Sequence, residues 1–324
     1  MAGQCRDKHC WAPDTRCHQG EARHTDCKEW QDGKTNKTEA KLGENEQLLP
    51  WTGNSLGLDD VPFVAARSNP KVVGLFGPHN AGKTTLLAAF YLLMGRLPRP
   101  FQERTFAGSY SLTGWEIIAN SLRWDGNTPP HFPPHTATGN NRIPGLLHMA
   151  FREPNNSLRD FLFADSPGEW FRRWAINRNA IDATGAQWLA EHASIFLLIA
   201  DCGALSGPSR GAARHELQLL VQRISEIREG RPVALVWAKS DEKVPEKIRQ
   251  TITDAVSQYL PGADEFSVSI YPSPKGVTGE KDSGANIAAF FELLDWITSR
   301  APLEVELELP KRDLNDPFFA YGEA

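Results

Sequence analysis

Residues 77–85 read GPHNAGKTT, which satisfies the pattern G-x-x-x-x-G-K-[ST]. A stretch of this kind can hold phosphate. Its glycines let successive backbone N–H groups turn around phosphate oxygens, and a helix N-terminus adds partial positive charge behind them. Gly77, Asn80, Ala81, Gly82 and Thr85 would form that cradle. Lys83 would place its charge at the β and γ phosphates, and the Thr84 hydroxyl would coordinate Mg²⁺. The pattern needs a strand before it and a helix after it. KVVGLF (71–76) has the β-branched content of a strand, and KTTLLAAFYLLMG (83–95) is an apolar helix that stops at Gly95. A chance Gly-rich turn would have neither flank.

Two further motifs fall at the ends of expected strands. FADSPGEW (163–170) supplies D-x-x-G. Asp165 would hold Mg²⁺ through water, and the Gly168 N–H would bond a γ-phosphate. VWAKSD (236–241) ends in K-x-D and resembles the guanine-reading motif Asn/Thr-Lys-x-Asp, with Ala238 at the first position. The carboxylate of Asp241 only accepts hydrogen bonds. Guanine offers it N1–H and N2–H, whereas adenine offers an acceptor at N1 that would repel it. Lys239 would lay its alkyl stem along the base. Loss of the Asn or Thr removes a supporting hydrogen bond of about 1 kcal/mol, so Ala238 should weaken the site more than it changes its choice. Ordinary solvated turns are the competing readings of both motifs.

The elements that must position these residues are legible from periodicity. GLLHMAFRE and LRDFLFAD flank Pro154-Asn155-Asn156-Ser157, which predicts an antiparallel hairpin. SIFLLIAD, PVALVWA and FSVSI are further strands. Leu217, Leu220, Val221, Ile224 and Ile227 mark one helix, Ile248, Ile252, Val256 and Tyr259 a second, and NIAAFFELLDWIT a last one. Strands alternating with helices predict an α/β fold: a mostly parallel sheet covered on both faces, with the hairpin adding one antiparallel edge strand. Ligands in such sheets bind at the carboxyl ends of strands, where all three motifs fall. Residues 125–145 are rich in Pro, His and Asn and read as a long surface loop, while LEVELEL (303–309) alternates like a half-buried strand.

This order of phosphate loop, hairpin, D-x-x-G and K-x-D resembles the TRAFAC class of P-loop GTPases, a Ras-like fold. FGPHNAGKTTLL, TFAGSYSLTGWEIIANSLRW and DSPGEW resemble the double-GTPase domain family of bacterial conflict and defence systems. The likeness runs from residue 48 to about residue 300. It implies a GTP-hydrolysing switch that uses Mg²⁺ and regulates a partner effector or other defence-system subunit, with homo-oligomers also open. It implies a switch segment in which Thr105, Ser109 or Thr113 closes on Mg²⁺, and a base-contacting loop at Ser269 or at PSPK (272–275). Glu169 stands where many small GTPases carry a water-orienting Gln. His79 stands where dynamin-like GTPases carry theirs, with Asn80 at their Ser. Arg172 and Arg173 are candidates for transition-state charge. The rival readings are an ATPase of the same fold and a nucleotide-locked scaffold.

The N-terminus carries different chemistry. Cys5, Cys10, Cys17 and Cys27 are spaced C-x4-C-x6-C-x9-C, with His9, His18 and His24 between them. Reducing cytosol disfavours disulfides, and Zn²⁺ held by the four cysteines would order a segment too polar to build its own core. Free thiols on a docking tail are the alternative, and His18 could replace one Cys. The expected organisation is a zinc module at 1–35, a linker and packing segment at 36–69, a GTPase domain at 70–300 and a strand-like tail at 301–324.

Composition sets the outer limits. The chain has 324 residues, 40% of them hydrophobic, which suffices for one large core. A net charge of −5 argues against a broad nucleic-acid surface. The longest apolar run, 195–200, is too short to span a bilayer, and the N-terminus lacks the apolar core of a signal peptide. The sequence therefore predicts a soluble, cytoplasmic protein.

Overall fold

A computed structural model of the chain describes residues 4–5, 21, 23–31, 55–66, 68–95, 104–123, 131–132, 144–270 and 287–300. The chain divides into two compact units, Met1–Leu49 and Pro50–Ala324. In the first, strand β1 (Gln4–Cys5) pairs antiparallel with β2 (Trp30–Gln31), which sets Cys5 opposite Trp30. A 3₁₀ turn at His24–Asp26 precedes Cys27, which is buried and free. Residues 10 and 17 and the predicted tail strand at 303–309 lie outside the described residues.

The second unit is built on seven strands: β3 (Lys71–Phe76), β4 (Thr105–Gly108), β5 (Gly145–Arg152), β6 (Leu158–Asp165), β7 (Ile195–Asp201), β8 (Val233–Ala238) and β9 (Asp264–Val268). Their order across the sheet is β4-β5-β6-β3-β7-β8-β9. Strands β6, β3, β7, β8 and β9 are mutually parallel, and β5 is antiparallel to both of its neighbours. The predicted hairpin is therefore present, but its antiparallel strand is not the edge. Thr105–Gly108 pairs onto β5 and takes that place. Three of its four residues are exposed, so it carries no apolar alternation to mark it in the sequence.

The central strands read as continuous apolar runs because both of their faces are buried. In β7, Ile195, Leu197 and Ile199 enter one core cluster, while Phe196, Leu198 and Ala200 enter the other. The first cluster packs against α2 (Lys83–Met94), α3 (Leu112–Asn120) and α9 (Ile287–Arg300). The second packs against α1 (Val61–Ala65), α4 (Gly168–Ile176), α5 (Thr184–His192), α6 (Cys202–Ser206), α7 (Arg210–Ser225) and α8 (Glu246–Tyr259). Trp170, Phe171 and Trp174 anchor α4, the helix that follows D-x-x-G. Ahead of the sheet, Leu56 is buried and exchanges backbone hydrogen bonds with Leu146 at 2.8 and 3.0 Å.

Candidate functional site

Strand β3 delivers the loop 77–82 to the carboxyl end of the sheet, where α2 begins. Gly82 caps that helix at φ +89°, and Asn80 sits at φ +61°, a left-handed conformation that Asn adopts more readily than most residues. A Cβ on Gly77 would stand 3.0 Å from the Ile199 side chain and carbonyl, so the loop lies hard against β7. The Lys83 ammonium is buried and donates to the carbonyls of Gly77 (3.0 Å) and Pro78 (2.8 Å). Burial pushes its pKa down to about 8, opposed by the carboxylates of Asp165 and Glu169. The Thr84 hydroxyl donates to Asp165 Oδ1 at 2.9 Å.

The turn after β6 closes on this loop. A Cβ on Gly168 would fall 2.2 Å from the His79 nitrogen and 2.4 Å from the Pro78 carbonyl carbon. Backbone cannot yield by that amount, so only glycine permits the approach. The same approach sets His79 Nδ1 2.8 Å from Glu169 Oε1. The sequence offers these two as separate candidates; the fold pairs them. Ser166, next to Asp165 in the chain, is buried, and its Oγ has no hydrogen-bond partner.

The K-x-D segment leaves β8 at Ala238, which is buried. Lys239 takes φ +57° and donates its ammonium to Asn80 O and Asp201 Oδ2, both at 2.8 Å. Asp241 Oδ1 accepts a 2.5 Å hydrogen bond from Ser269 Oγ, just past β9. Ser269 thus holds the carboxylate in place, and PSPK lies outside the described residues.

One cleft of about 560 Å³ collects these groups. It is lined by His79 through Leu86, Ser166–Glu169, Gly203, Ala238, Lys239, Asp241 and Glu242, with Phe132, Val268, Ile270 and Phe290 adding apolar wall. Its size is that of a small-molecule site. Gly77 and Asp165 stand behind the lining and reach it through Lys83 and Thr84.

Several candidates lie elsewhere. Thr105, Ser109 and Thr113 do not line the cleft, and Ser109 instead donates to the His148 carbonyl at 2.6 Å. Arg172 and Arg173 are exposed and off the cleft, and Arg173 is ion-paired with Asp182 at 2.5 Å. No cluster of three metal-ligating side chains occurs among the described residues, and Cys10 and Cys17 of the proposed zinc set lie outside them. Residues at the site that the sequence does not single out include Ser166, Gly203 and Phe290 in the lining, together with Phe132 and, behind it, Asp201. Phe132 comes from the Pro- and His-rich stretch, where nothing distinguishes one aromatic. Asp201 looked like any acid at a strand end.

Phosphate loop, D-x-x-G turn and K-x-D turn around one cleft, at the carboxyl ends of a mostly parallel sheet, define a P-loop GTPase. The family model for Double-GTPase 2 matches residues 71–297, and the chain belongs to that family, a GTP hydrolase by fold and site. No curated protein matches the chain. Among solved structures, it is similar to the signal recognition particle receptor SRb-GTP/SRX complex of Chaetomium thermophilum: 15% identity, 64% of this chain and 94% of that one, TM-score 0.35. It is also similar to a Plasmodium falciparum chain described as nucleolar GTP-binding protein 1: 16% identity, 71% and 91% coverage, TM-score 0.35.

Proposed function

We propose that the chain binds GTP with Mg²⁺ in this cleft and cleaves the β–γ bond by attack of water, as a switch that licenses a partner effector. The observation that carries the guanine reading is the carboxylate of Asp241, fixed by Ser269 in the cleft that also holds the phosphate loop. An acceptor-only group there matches guanine N1–H and N2–H and opposes adenine N1.

The other roles follow from geometry. Backbone N–H groups of 80–85 cradle the phosphates, and Lys83 gives up its carbonyl partners for the β and γ oxygens. Thr84 and Asp165 present adjacent hard oxygen donors, and the unpartnered Ser166 hydroxyl is close by in sequence, a donor set that suits Mg²⁺. The ion would supply charge neutralisation between the β and γ phosphates. Gly168 packs against the phosphate loop, from where its N–H would bond the γ-phosphate and report it to α4. Glu169 accepts from His79 Nδ1–H, which makes His79 Nε2 the acceptor for the attacking water. The new bond joins water oxygen to the γ-phosphorus, and GDP leaves.

Calorimetric affinities for GTP and ATP, with a phosphate-release assay, test this reading. GTP should bind more tightly and turn over. Equal affinity for ATP would favour the ATPase that Ala238 leaves open, and binding without turnover would favour a scaffold. The placing of this switch in bacterial antiphage defence rests on family resemblance. The N-terminal zinc reading rests on the spacing of Cys5, Cys10, Cys17 and Cys27 in the sequence. Elemental analysis of chelator-free protein should find about one zinc per chain, lost in Cys10→Ser. Freely reactive thiols would overturn it. Among the described residues, no helix is long and apolar enough to cross a membrane.

A further inference from the structure

We propose that Asp201 is a positioning residue for the nucleotide base, acting through Lys239, and that it takes over the support an Asn or Thr at position 238 would give. The inference rests on the reading of the cleft as a nucleotide site. It does not depend on which base is preferred.

Asp201 ends β7 and pairs in register with Ala238 at the end of β8, so it stands beside the substituted position. Its side chain is only 6% exposed. Each oxygen has one task. Oδ1 accepts the Ala204 N–H at 3.2 Å and fixes the start of α6. Oδ2 accepts the Lys239 ammonium at 2.8 Å. That ammonium also donates to Asn80 O in the phosphate loop at 2.8 Å. One lysine therefore ties the ends of β7 and β8 to the loop that receives phosphate.

Ala238 cannot make such a tie. A Cβ placed on Gly82 would stand 4.0 Å from the Ala238 methyl, so the two segments meet there without a polar group from position 238. The polar link passes to the next residue. Lys239 at φ +57° is a left-handed non-glycine that its surroundings must hold. Those surroundings are specific. A Cβ on Gly203 would meet Asp201 Oδ1 at 3.2 Å and Lys239 Cδ at 3.5 Å. The lysine stem thus runs over Gly203, and both residues line the cleft. With its charge satisfied at the far end, the stem presents methylenes to a base plane.

The test uses the full chain and a probe without a base. Asp201→Asn keeps an acceptor for Ala204 N–H and removes the charge that holds Lys239. Affinities for GTP, ATP and inorganic tripolyphosphate are measured by calorimetry. The nucleoside triphosphate that the parent binds best should weaken about tenfold, while tripolyphosphate stays within about twofold. In a Lys239→Met background, adding Asp201→Asn should change nothing further. Gly203→Ala, which leaves the charge in place but crowds Asp201 Oδ1, 3.2 Å from the added methyl, should give the same base-dependent loss and decides the matter should Asp201→Asn not fold. Unchanged nucleotide binding would overturn the proposal, as would an equal loss for tripolyphosphate or additive effects with Lys239→Met. Failure of the guanine reading looks different: ATP would then bind the unsubstituted chain as well as GTP.

Discussion

His79 Nδ1 and Glu169 Oε1 meet at 2.8 Å, joining the phosphate loop to the first turn of α4. Neither side chain is deeply buried, at 46% and 39% exposure, so the pair adds little to stability. Its use is orientation. A carboxylate on Nδ1–H fixes the tautomer and aims Nε2. The two residues should therefore act as one unit. His79→Ala and Glu169→Gln should each lower kcat on the order of a hundredfold with little change in KM. The double variant should be no slower than the slower single one. Single-turnover phosphate release checks this. Additive losses would mean two independent groups.

Lys83 gives the site a pH dependence. Burial lowers its pKa to about 8 from 10.5. The native chain then holds fewer protons than the unfolded chain between those values, so this residue adds stability as pH rises through that window. Nucleotide affinity runs the other way, because triphosphate needs the ammonium. Affinity should fall about tenfold from pH 7 to pH 9, with proton uptake on binding above pH 8. Calorimetry in buffers of different ionisation enthalpy reads both. Lys83→Ala should abolish binding at every pH.

Gly168→Ala tests the contact between the two loops. Its methyl would strike backbone atoms of Pro78 and His79, which cannot rotate away as a side chain can. The cost should be about 1–3 kcal/mol of stability. The loops must separate, which also removes His79 from Glu169. Thermal denaturation should show a lower Tm and the phosphate assay a loss of turnover. A variant unchanged in both would show that the loops do not close on one another in solution.

What the sequence reveals depends on how local the determinant is. Ile195–Ala200 is legible because both faces of β7 are buried, and GPHNAGKTT because its chemistry lies within nine adjacent letters. Strand β4 is not, since it is short, exposed and held by its neighbour rather than by its own pattern. Thr105, Ser109 and Thr113 were reasonable hydroxyls by position, yet Ser109 is used up on the His148 carbonyl. The pairings His79–Glu169, Lys239–Asp201 and Ser269–Asp241 join residues far apart in the chain. No spacing rule could join them. Only the parallel register brings Asp201 beside Ala238.

Base choice follows from the Ser269–Asp241 bond. The Ser269 hydroxyl donates to Oδ1, so Oδ2 is the oxygen left to meet guanine. In Asp241→Asn, the hydroxyl should keep the amide oxygen on its own side and turn the NH₂ toward the base. That donor has no acceptor at guanine N2–H but finds one in the 2-oxo group of xanthine. Preference should shift toward xanthosine triphosphate on the order of a hundredfold, since a site built for one polar pattern rejects its mismatch strongly. Ser269→Ala in the same background should blunt the shift, because the amide is then free to flip. Competition binding among GTP, xanthosine triphosphate and ATP measures all three. Retained preference for GTP in Asp241→Asn would remove Asp241 from the base site.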